Sequence, residues 1–328
     1  HGLVAEQLFG GVAGVFVVRG DLDEIPEIKA AKEEFLVLQD FALDSEGKLI
    51  DSSAHMSLMS GREGDLITVN GKPNPSFSIP QNGLLRWRIV NASPSRFYNL
   101  SLGNHPFYLI ATDGNALSEP VETNELLLTP GQRAEVLIKG NQQPGEYRLL
   151  NLPYNRGGMG MMGGNNNDNN DTSAVLATLN YDSAVETIAL PTKLLSVPAL
   201  PEPTQVRSFK LNHGMRSGVG MAFLINGKSY EHERIDTQVK LNTVEDWEIV
   251  NTGTMDHPFH LHVNHFQVIS RDGKPEPYRA WRDTVLVRRG ETVRIRIPFR
   301  NYTGKTVYHC HILDHEDLGM MANLEIVS

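Results

Sequence analysis

Short runs of alternating apolar and polar residues recur along the chain, and Gly, Pro, Asn or Asp separate them. No long segment has the period of an amphipathic helix. Strands at this density, with turns between them, are typical of antiparallel sandwiches, so the pattern predicts an all-β fold. The clearest predicted strands are EEFLVLQDFAL, LLRWRIVNAS, RAEVLIKG, YRLLNL, SAVLATLNY, WEIVNTG, TVRIRIPF and MANLEIV.

The chain contains an internal repeat. Residues 85–114, LRWRIVNASPSRFYNLSLGNHPFYLIATDG, are similar to residues 245–273, EDWEIVNTGTMDHPFHLHVNHFQVISRDG, with Trp87 and Trp247 at equivalent positions. A second pair of similar segments, LTPGQRAEVLI and LVRRGETVRIRI, follows at nearly the same spacing. The repeat indicates two copies of one sandwich domain.

A third, partial copy is expected at the start of the chain. LFGGVAGVFVV, residues 8–18, is similar to SAVLATLNY and LGMMANLEIV, each of which would be the closing strand of a domain. Pro-rich and charged segments between the copies are predicted linkers. The expected organisation is a C-terminal remnant of a first domain at 1–21, a linker at 22–34, a second domain at 35–182, a linker at 183–206 and a third domain at 207–328.

Composition narrows the possible functions. The 328 residues are 40% hydrophobic and 21% charged, as in a soluble globular protein, and no apolar run approaches the roughly 20 residues of a membrane span. The net charge is -9 and the basic residues are scattered, which argues against nucleic-acid binding. HGLVAEQLFGG has neither an initiator methionine nor a signal peptide, so we expect the sequence to begin inside a longer gene product.

The only cysteine, Cys310, lies between two histidines in VYHCHILDHEDLGMM. It cannot form an internal disulfide, so it is a buried spectator, a nucleophile or a metal ligand. Side chains alternate along a strand, so His309 and His311 face one side and Cys310 faces the other. One tripeptide can therefore serve two separate metal sites.

A second histidine-rich segment, HPFHLH, lies about 50 residues earlier, and half of the chain's 12 histidines fall in the two segments. A thiolate, two imidazoles and a weak axial thioether form the blue-copper ligand set. The sequence offers Cys310, His257, His315 and Met320 for that set. An all-imidazole group remains, which suits copper that binds oxygen better than structural zinc; its members are His260, His262, His309 and His311.

These segments resemble the copper motifs of the multicopper oxidases. HPFHLH matches the family motif H-P-x-H-x-H, and HCHILDHEDLGM matches H-C-H-x-x-x-H-x-x-x-x-M at every ligand position. The resemblance covers nearly the whole chain, is nearest to bacterial three-domain laccase-like and cuprous oxidases, and implies tandem cupredoxin-like Greek-key β-sandwiches with copper as cofactor. It implies type 1 copper on His257, Cys310, His315 and Met320, type 2 copper on His260, and type 3 copper on His262, His309 and His311.

The activity that the resemblance implies is that of a copper-dependent oxidoreductase. Such an enzyme takes single electrons from a phenolic substrate or Cu(I) at the type 1 copper and reduces dioxygen to water at a trinuclear cluster. Cys310 would pass electrons to its neighbours His309 and His311. An axial Met320 lowers the copper potential and so suits easily oxidised reductants. Bacterial relatives are usually exported, which implies a periplasmic or secreted location.

The chain departs from the family pattern in its first domain. A complete trinuclear cluster takes eight histidines, and the two H-x-H motifs that would supply four of them are absent. His1 resembles the third histidine of a family string H-x-H-x-H-G, which is normally not a ligand. The alternative is therefore an inactive fragment or a non-enzymatic copper-binding or electron-transfer module, with the missing amino-terminal segment as a partner. A copper nitrite reductase is less favoured because that family lacks H-C-H.

Glu316 is a candidate for acid–base chemistry. It occupies the position at which bacterial family members often carry a glutamate that relays protons to reduced oxygen, a role that suits a carboxylate with a raised pKa. The alternative is a solvated charge beside Asp314 and Asp317.

Three methionines occur in the Gly/Asn-rich segment RGGMGMMGGNNNDNNDT, which is predicted to be a loop. Thioethers bind Cu(I), so Met159, Met161 and Met162 form a candidate Cu(I) docking site. The alternative is a tolerated low-complexity insertion.

Two further histidines are expected to have structural roles. His265 follows HPFHLH but fits neither motif, so we expect a hydrogen-bonded structural residue. His105 occupies the position of His257 in the middle repeat, where Tyr108 replaces His260 and no cysteine follows. The middle domain is therefore predicted to bind no type 1 copper.

Overall fold

The computed structural model describes residues 1–50, 59–158, 173–216 and 220–328. Helices in these parts of the chain are short: α1 is Val4–Phe9, α2 is Pro26–Ala30 and α3 is Leu313–Asp317, with a 3-10 turn at Asp21–Glu24. Among the described residues, no helix has the length and apolar character that a bilayer crossing requires.

Strands dominate both halves of the chain, which confirms the all-β prediction. The described strands of the first half are β1 Lys32–Phe41, β2 Leu66–Val69, β3 Ser76–Gln81, β4 Leu84–Asn91, β5 Tyr98–Leu102, β6 Phe107–Thr112, β7 Asn115–Thr123, β8 Leu126–Leu128, β9 Arg133–Lys139, β10 Glu146–Leu152 and β11 Ala174–Ala184. Those of the second half are β12 Gln205–Arg216, β13 Gly220–Ile225, β14 Thr237–Lys240, β15 Thr243–Asn251, β16 His257–Leu261, β17 Phe266–Arg271, β18 Lys274–Pro275, β19 Trp281–Arg282, β20 Thr284–Val287, β21 Thr292–Phe299, β22 Gly304–Cys310 and β23 Met321–Val327.

Each half forms a sandwich of two sheets. The middle sandwich has the strand orders β2-β1-β4-β9-β6-β7 and β3-β11-β10-β5-β8. The third sandwich has the orders β13-β12-β15-β21-β17-β18, with β19 beside β17, and β14-β23-β22-β16-β20. Strand by strand these orders are the same, and even the parallel pairs correspond, β1 with β4 and β12 with β15. The topology thus agrees with the repeat in the sequence, while the predicted domain boundaries stay predictions.

A fully buried tryptophan lies in the core of each sandwich. Trp247 packs against Phe209 and Tyr308, with ring centroids 4.5 and 5.3 Å apart, and its Nε1 donates to Glu245 at 2.9 Å. Trp87 occupies the equivalent position in the middle sandwich and is equally buried. Aromatic residues of this size supply much of the apolar area that stabilises a core.

The closing strand predicted for residues 8–18 is wrong. The segment begins in α1, and after Gly11 the chain has no regular structure up to residue 20. A strand needs a neighbour to satisfy its backbone N–H and C=O groups, and none of the described strands pairs with this segment. Its apolar side chains are left exposed, with Phe16 92% and Val18 73% accessible. The assignment of residues 1–21 to a further domain remains a prediction.

A buried ion pair connects the two sandwiches at α3. The Arg62 backbone N–H and Nε donate to the Asp314 carboxylate at 2.7 and 2.9 Å. The side chains are only 12% and 1% exposed, so each charge depends on the other. The neighbouring Gly61 has a positive φ, and an added Cβ would lie 2.5 Å from Ser95 Oγ. This close approach fixes the path of the chain that carries Arg62.

A second group of polar contacts joins the sandwiches at the start of β20. Arg133 Nη1 and Nη2 donate to the two carboxylate oxygens of Asp283 at 2.8 and 2.6 Å. Gly131, two residues earlier, has a positive φ, and an added Cβ would lie 2.2 Å from Nε2 of His311. Gly290, its equivalent in the third sandwich, also has a positive φ, but an added Cβ there would meet open space.

We expect Arg62→Ala to lower the free energy of unfolding by about 3 kcal/mol, because it leaves the Asp314 carboxylate buried without its counter-ion. Urea unfolding followed by tryptophan fluorescence measures the change. Lys29→Ala is the control, because it removes an exposed ion pair with Glu24 and should leave the midpoint unchanged. Equal midpoints for both variants would contradict a stabilising role for the buried pair.

Candidate metal centre

Strand pairing separates the candidate ligands onto two faces. In the register of β16 and β22, Phe259 pairs with Cys310 and His260 pairs with His309. Paired residues share a face and successive residues alternate. His257, two residues before Phe259, therefore lies on the face of Cys310, while His260 and His309 lie on the other.

The first group, here the thiol cluster, consists of His257, Cys310, His315 and Met320. Cys310 Sγ lies 3.5 Å from His257 Nδ1 and 3.8 Å from His315 Nδ1, and the two nitrogens are 3.3 Å apart. α3 follows β22 directly and brings His315 back toward Cys310. Met320 is fully buried, donates its N–H to the His315 carbonyl at 2.8 Å and accepts from the Cys310 N–H at 3.0 Å. The four residues predicted as one ligand set are therefore neighbours.

Burial keeps the imidazoles of the thiol cluster neutral, as metal ligation requires. It lowers the pKa of His257 to about 3 and holds the pKa of His315 well below its usual value. His315 Nε2 donates to the Met59 carbonyl at 3.1 Å, which leaves a lone pair on the Nδ1 that faces Cys310. Burial also raises the pKa of the Cys310 thiol, so a thiolate here needs a cation beside it. This donor set fits a thiophilic metal.

The second group, here the imidazole cluster, consists of His260, His262, His309 and His311. The ring of His260 lies 4.7 to 5.3 Å from the other three, and Nε2 of His262 lies 3.0 Å from Nε2 of His309. Burial, reinforced by the neighbouring histidines, lowers the pKa of His262 to about 4 and that of His311 to about 3. His309 Nδ1 donates to the Cys310 carbonyl at 2.8 Å, so the lone pair of this ring is on Nε2. This group of rings fits a metal with nitrogen ligands.

His1 joins this group, which the sequence reasoning did not anticipate. Its ring lies 5.2 Å from that of His262 and 5.1 Å from that of His309, and one donor nitrogen of each lies within 4.8 Å of the others. The resemblance to the family string H-x-H-x-H-G had indicated that His1 is normally not a ligand. The only sequence signal was the similarity of His1-Gly2 to the family string.

Glu316 contacts His1 and is not a solvated charge. Its side chain is fully buried, and Oε1 lies 2.8 Å from His1 Nδ1. Among the described residues, its Oε2 has no hydrogen-bond partner. Burial raises the pKa of Glu316 to about 7. The two neighbouring carboxylates are engaged elsewhere, Asp314 with Arg62 and Asp317 with the first N–H groups of α1.

Two further histidines singled out in the sequence, His265 and His105, are members of neither cluster. The hydrogen bond expected for His265 is not found among the described residues: its side chain is 45% exposed, and its Nε2 lies 3.9 Å from Asp283, which is longer than a hydrogen bond. His105 uses both ring nitrogens, with Gly103 O at 2.6 Å and Tyr181 OH at 2.8 Å. The candidate docking residues Met159, Met161 and Met162 lie outside the described residues.

Comparisons with known proteins agree with this geometry. Two family models, each described as multicopper oxidase, match residues 33–184 and 198–328. A multicopper oxidase of Staphylococcus haemolyticus is 30% identical over 99% of this chain and 66% of its own length. A laccase of Bacillus subtilis is 28% identical over 97% of this chain and 67% of its own length.

Solved structures give the same result. A multicopper oxidase from Campylobacter jejuni, described as a metallo-oxidase, has a TM-score of 0.88 and 33% identity, and the match covers all of this chain and 70% of that one. A multicopper oxidase from Aquifex aeolicus has a TM-score of 0.85 and 29% identity over all of this chain and 74% of its own. The prediction of tandem cupredoxin-like sandwiches is therefore confirmed, as is copper as the metal of the family.

The chain spans about two thirds of the length of the curated relatives that it matches. Over that length the matches include both sandwiches and both histidine-rich motifs. The chain belongs to the multicopper oxidase family, whose members are copper-dependent oxidoreductases with oxygen as the electron acceptor.

Proposed function

We propose that this protein is a laccase-like or cuprous oxidase that removes single electrons from a reductant and reduces dioxygen to water. The observation that carries the proposal is the position of the two clusters on opposite faces of β22, with Cys310 in one and its sequence neighbours in the other. A reductant and oxygen can thus react at separate places that are one residue apart in the chain.

The donor sets support a specific assignment of ligands. Bound copper would supply one-electron redox chemistry at the thiol cluster and oxygen reduction at the imidazole cluster. We assign type 1 copper to His257, Cys310, His315 and Met320, type 2 copper to His260, and type 3 copper to His262, His309 and His311. Cys310, His257, His315 and His309 are buried, which excludes water from the thiol, whereas His260, His262 and His311 are partly buried.

The peptide between the clusters is the proposed path for electrons. Cys310 is bonded to His309 and His311 through the main chain, and His309 Nδ1 donates to the Cys310 carbonyl at 2.8 Å. The two clusters are therefore linked both by covalent bonds and by a hydrogen bond, with no solvent gap to cross.

Glu316 and His1 are the proposed holders of the proton that oxygen reduction consumes. The Glu316 carboxyl lies against His1, and the His1 ring lies against the imidazole cluster. A buried carboxyl with one unpartnered oxygen and a pKa of about 7 can both take up and release a proton near neutral pH, and it can pass the proton along this contact.

Relatives support two classes of reductant. Laccase and bilirubin oxidase are among the matched proteins, and a matched structure is described as active towards lignin model compounds. The Campylobacter jejuni structure is described as a metallo-oxidase. We therefore propose a small phenol or Cu(I) as reductant, with Met159, Met161 and Met162 as Cu(I) docking residues, and a periplasmic or secreted location.

A non-enzymatic copper or electron-transfer module is the second candidate. It is favoured by the thiol cluster, which is a complete donor set for one copper without any residue of the imidazole cluster. Copper counting and oxygen uptake with a phenolic dye separate the two. Four coppers with turnover support the oxidase, and extra mass would then identify an associated amino-terminal segment. One copper in a blue, inactive 36.5 kDa chain supports the module.

Cys310→Ser should abolish the intense sulfur-to-copper absorption and lower the copper content by one, because the thiolate is the strongest ligand of the thiol cluster. Visible spectroscopy and metal analysis of the copper-loaded protein measure both. His232→Gln changes an exposed histidine outside the clusters and should alter neither. A colourless wild-type protein would rule out the type 1 assignment.

Glu316→Gln should slow oxygen consumption by about 100-fold while the blue absorption persists, because the amide cannot donate a carboxyl proton. An oxygen electrode with a phenolic reductant measures the rate. Glu119→Gln, at an exposed position of the middle sandwich, is the control. Wild-type turnover in Glu316→Gln would remove this residue from the mechanism.

Met320→Leu should raise the reduction potential of copper bound at the thiol cluster, because leucine lacks the thioether that would stabilise Cu(II) there. Redox titration of the blue band measures the potential, and Met221→Leu in β13 is the matched control. An unchanged potential in Met320→Leu would argue against Met320 as a copper ligand.

A further inference from the structure

The middle sandwich contacts the imidazole cluster although it carries neither copper motif. We propose that its residues Arg133 and Asp113 are positioning residues that fix the tautomer and orientation of the His260 ring, acting through Asp283 and Thr284. The value of this arrangement for copper binding rests on the proposed function. The arrangement itself is a property of the metal-free chain.

The His260 ring is held by two acceptors on its Nδ1 side. Nδ1 lies 2.9 Å from the Asp283 carbonyl oxygen and 3.0 Å from Thr284 Oγ1. A carbonyl oxygen can only accept, so Nδ1 carries the hydrogen. The lone pair is then on Nε2, the nitrogen on the opposite side of the ring. Pairing of β16 with β20, His260 opposite Thr284, sets this distance.

The Thr284 hydroxyl is itself oriented by the adjacent carboxylate. Thr284 Oγ1 donates to Asp283 Oδ1 at 2.9 Å, since an ionised carboxylate offers only acceptors. The hydroxyl hydrogen is thereby used, and the lone pairs of Oγ1 remain to accept the N–H of His260. If the carboxylate turned away, the hydroxyl could instead donate to Nδ1, and the Asp283 carbonyl would be the only one of the two partners still favouring the Nδ1–H tautomer.

Arg133 of the middle sandwich prevents that rotation. Its guanidinium forms two parallel hydrogen bonds with the carboxylate of Asp283, a geometry that fixes the plane of the acceptor. Lysine could supply the charge but not the two fixed donors. The Arg133 side chain therefore acts on His260 through Asp283 and Thr284, without touching it.

Asp113 holds the backbone of the same two residues. Its Oδ2 accepts from the N–H groups of Asp283 and Thr284 at 3.2 and 3.3 Å, and its Oδ1 accepts from the Arg133 N–H at 3.1 Å. The carboxylate is almost completely buried, so these bonds do not compete with water. Gln132 adds a bond from Nε2 to the Thr284 carbonyl at 3.3 Å.

A fixed tautomer matters because a histidine nitrogen that carries hydrogen cannot bind a metal. Partners behind a ligating histidine typically change metal affinity by about 10- to 100-fold. A purely structural reading is that Arg133 and Asp283 only join the two sandwiches. That reading predicts a loss of stability without a change in the His260 tautomer.

The test is nitrogen-15 NMR of the imidazoles in the metal-free full chain. Wild type should give a single Nδ1–H tautomer for His260, identified by the signal that His260→Gln removes. Arg133→Gln should give averaged nitrogen shifts from two tautomers. Arg207→Gln is the matched control, because Arg207 forms a similar two-point pair with Glu245, at 2.7 and 2.9 Å and with comparable exposure, away from the cluster.

A single Nδ1–H tautomer in Arg133→Gln, or the same averaging in Arg207→Gln, would overturn the proposal. If Arg133→Gln does not fold, the measurement is made on Asp113→Asn and Arg133→Lys with the same criteria. Failure of the proposed function leaves this result unaffected, because no copper is present.

Copper titration gives the functional consequence. In a Cys310→Ser background, Arg133→Gln should weaken Cu(II) binding to the imidazole cluster about 10- to 100-fold relative to Arg207→Gln. Equal affinities would show that the tautomer does not limit binding and would overturn the link to copper. No Cu(II) binding in the Cys310→Ser parent would instead count against the proposed function.

Discussion

The alternation of side chains along β22 is the constraint on which both clusters depend. A strand cannot direct adjacent residues to one side, so H-C-H separates a thiol from two imidazoles within about 7 Å of backbone. β16 repeats the separation, because its register with β22 places His257 on the same face as Cys310 and pairs His260 with His309. Two different chemical environments thus arise from one pair of hydrogen-bonded strands.

Burial gives these environments their character. Desolvation keeps the imidazoles neutral and disfavours a bare thiolate, so the same apolar packing that stabilises the third sandwich also prepares its ligands for a cation. Phe223 illustrates this double role, because it belongs to the core and stacks on His315 with ring centroids 3.7 Å apart. The middle sandwich contributes hydrogen-bond partners to both clusters. The Met59 carbonyl accepts from His315, and Arg133 donates to Asp283, which contacts His260.

Local patterns were the part of the structure that the sequence could predict. The strands, the repeat and the grouping of Cys310 with His257 and His315 depend on a period of two and on spacing within short motifs. The contacts of Asp113 and Arg133 with Asp283 join residues about 150 or more positions apart and have no local pattern, so they required the fold. The strand expected at residues 8–18 had the right apolar residues, but a strand also needs a neighbour, which composition does not reveal.

The glycines at 131 and 290 occupy the same turn in the two sandwiches, but glycine is favoured for a different physical reason at each position. At 290 the demand is conformational alone, one that asparagine or aspartate can also meet at modest cost. At 131 the ring of His311 fills the volume that any larger residue would need. The same bend is therefore part of the wall of the imidazole cluster in one sandwich and a solvent-facing turn in the other, and the copy that carries neither copper motif is the one that tolerates fewer side chains there.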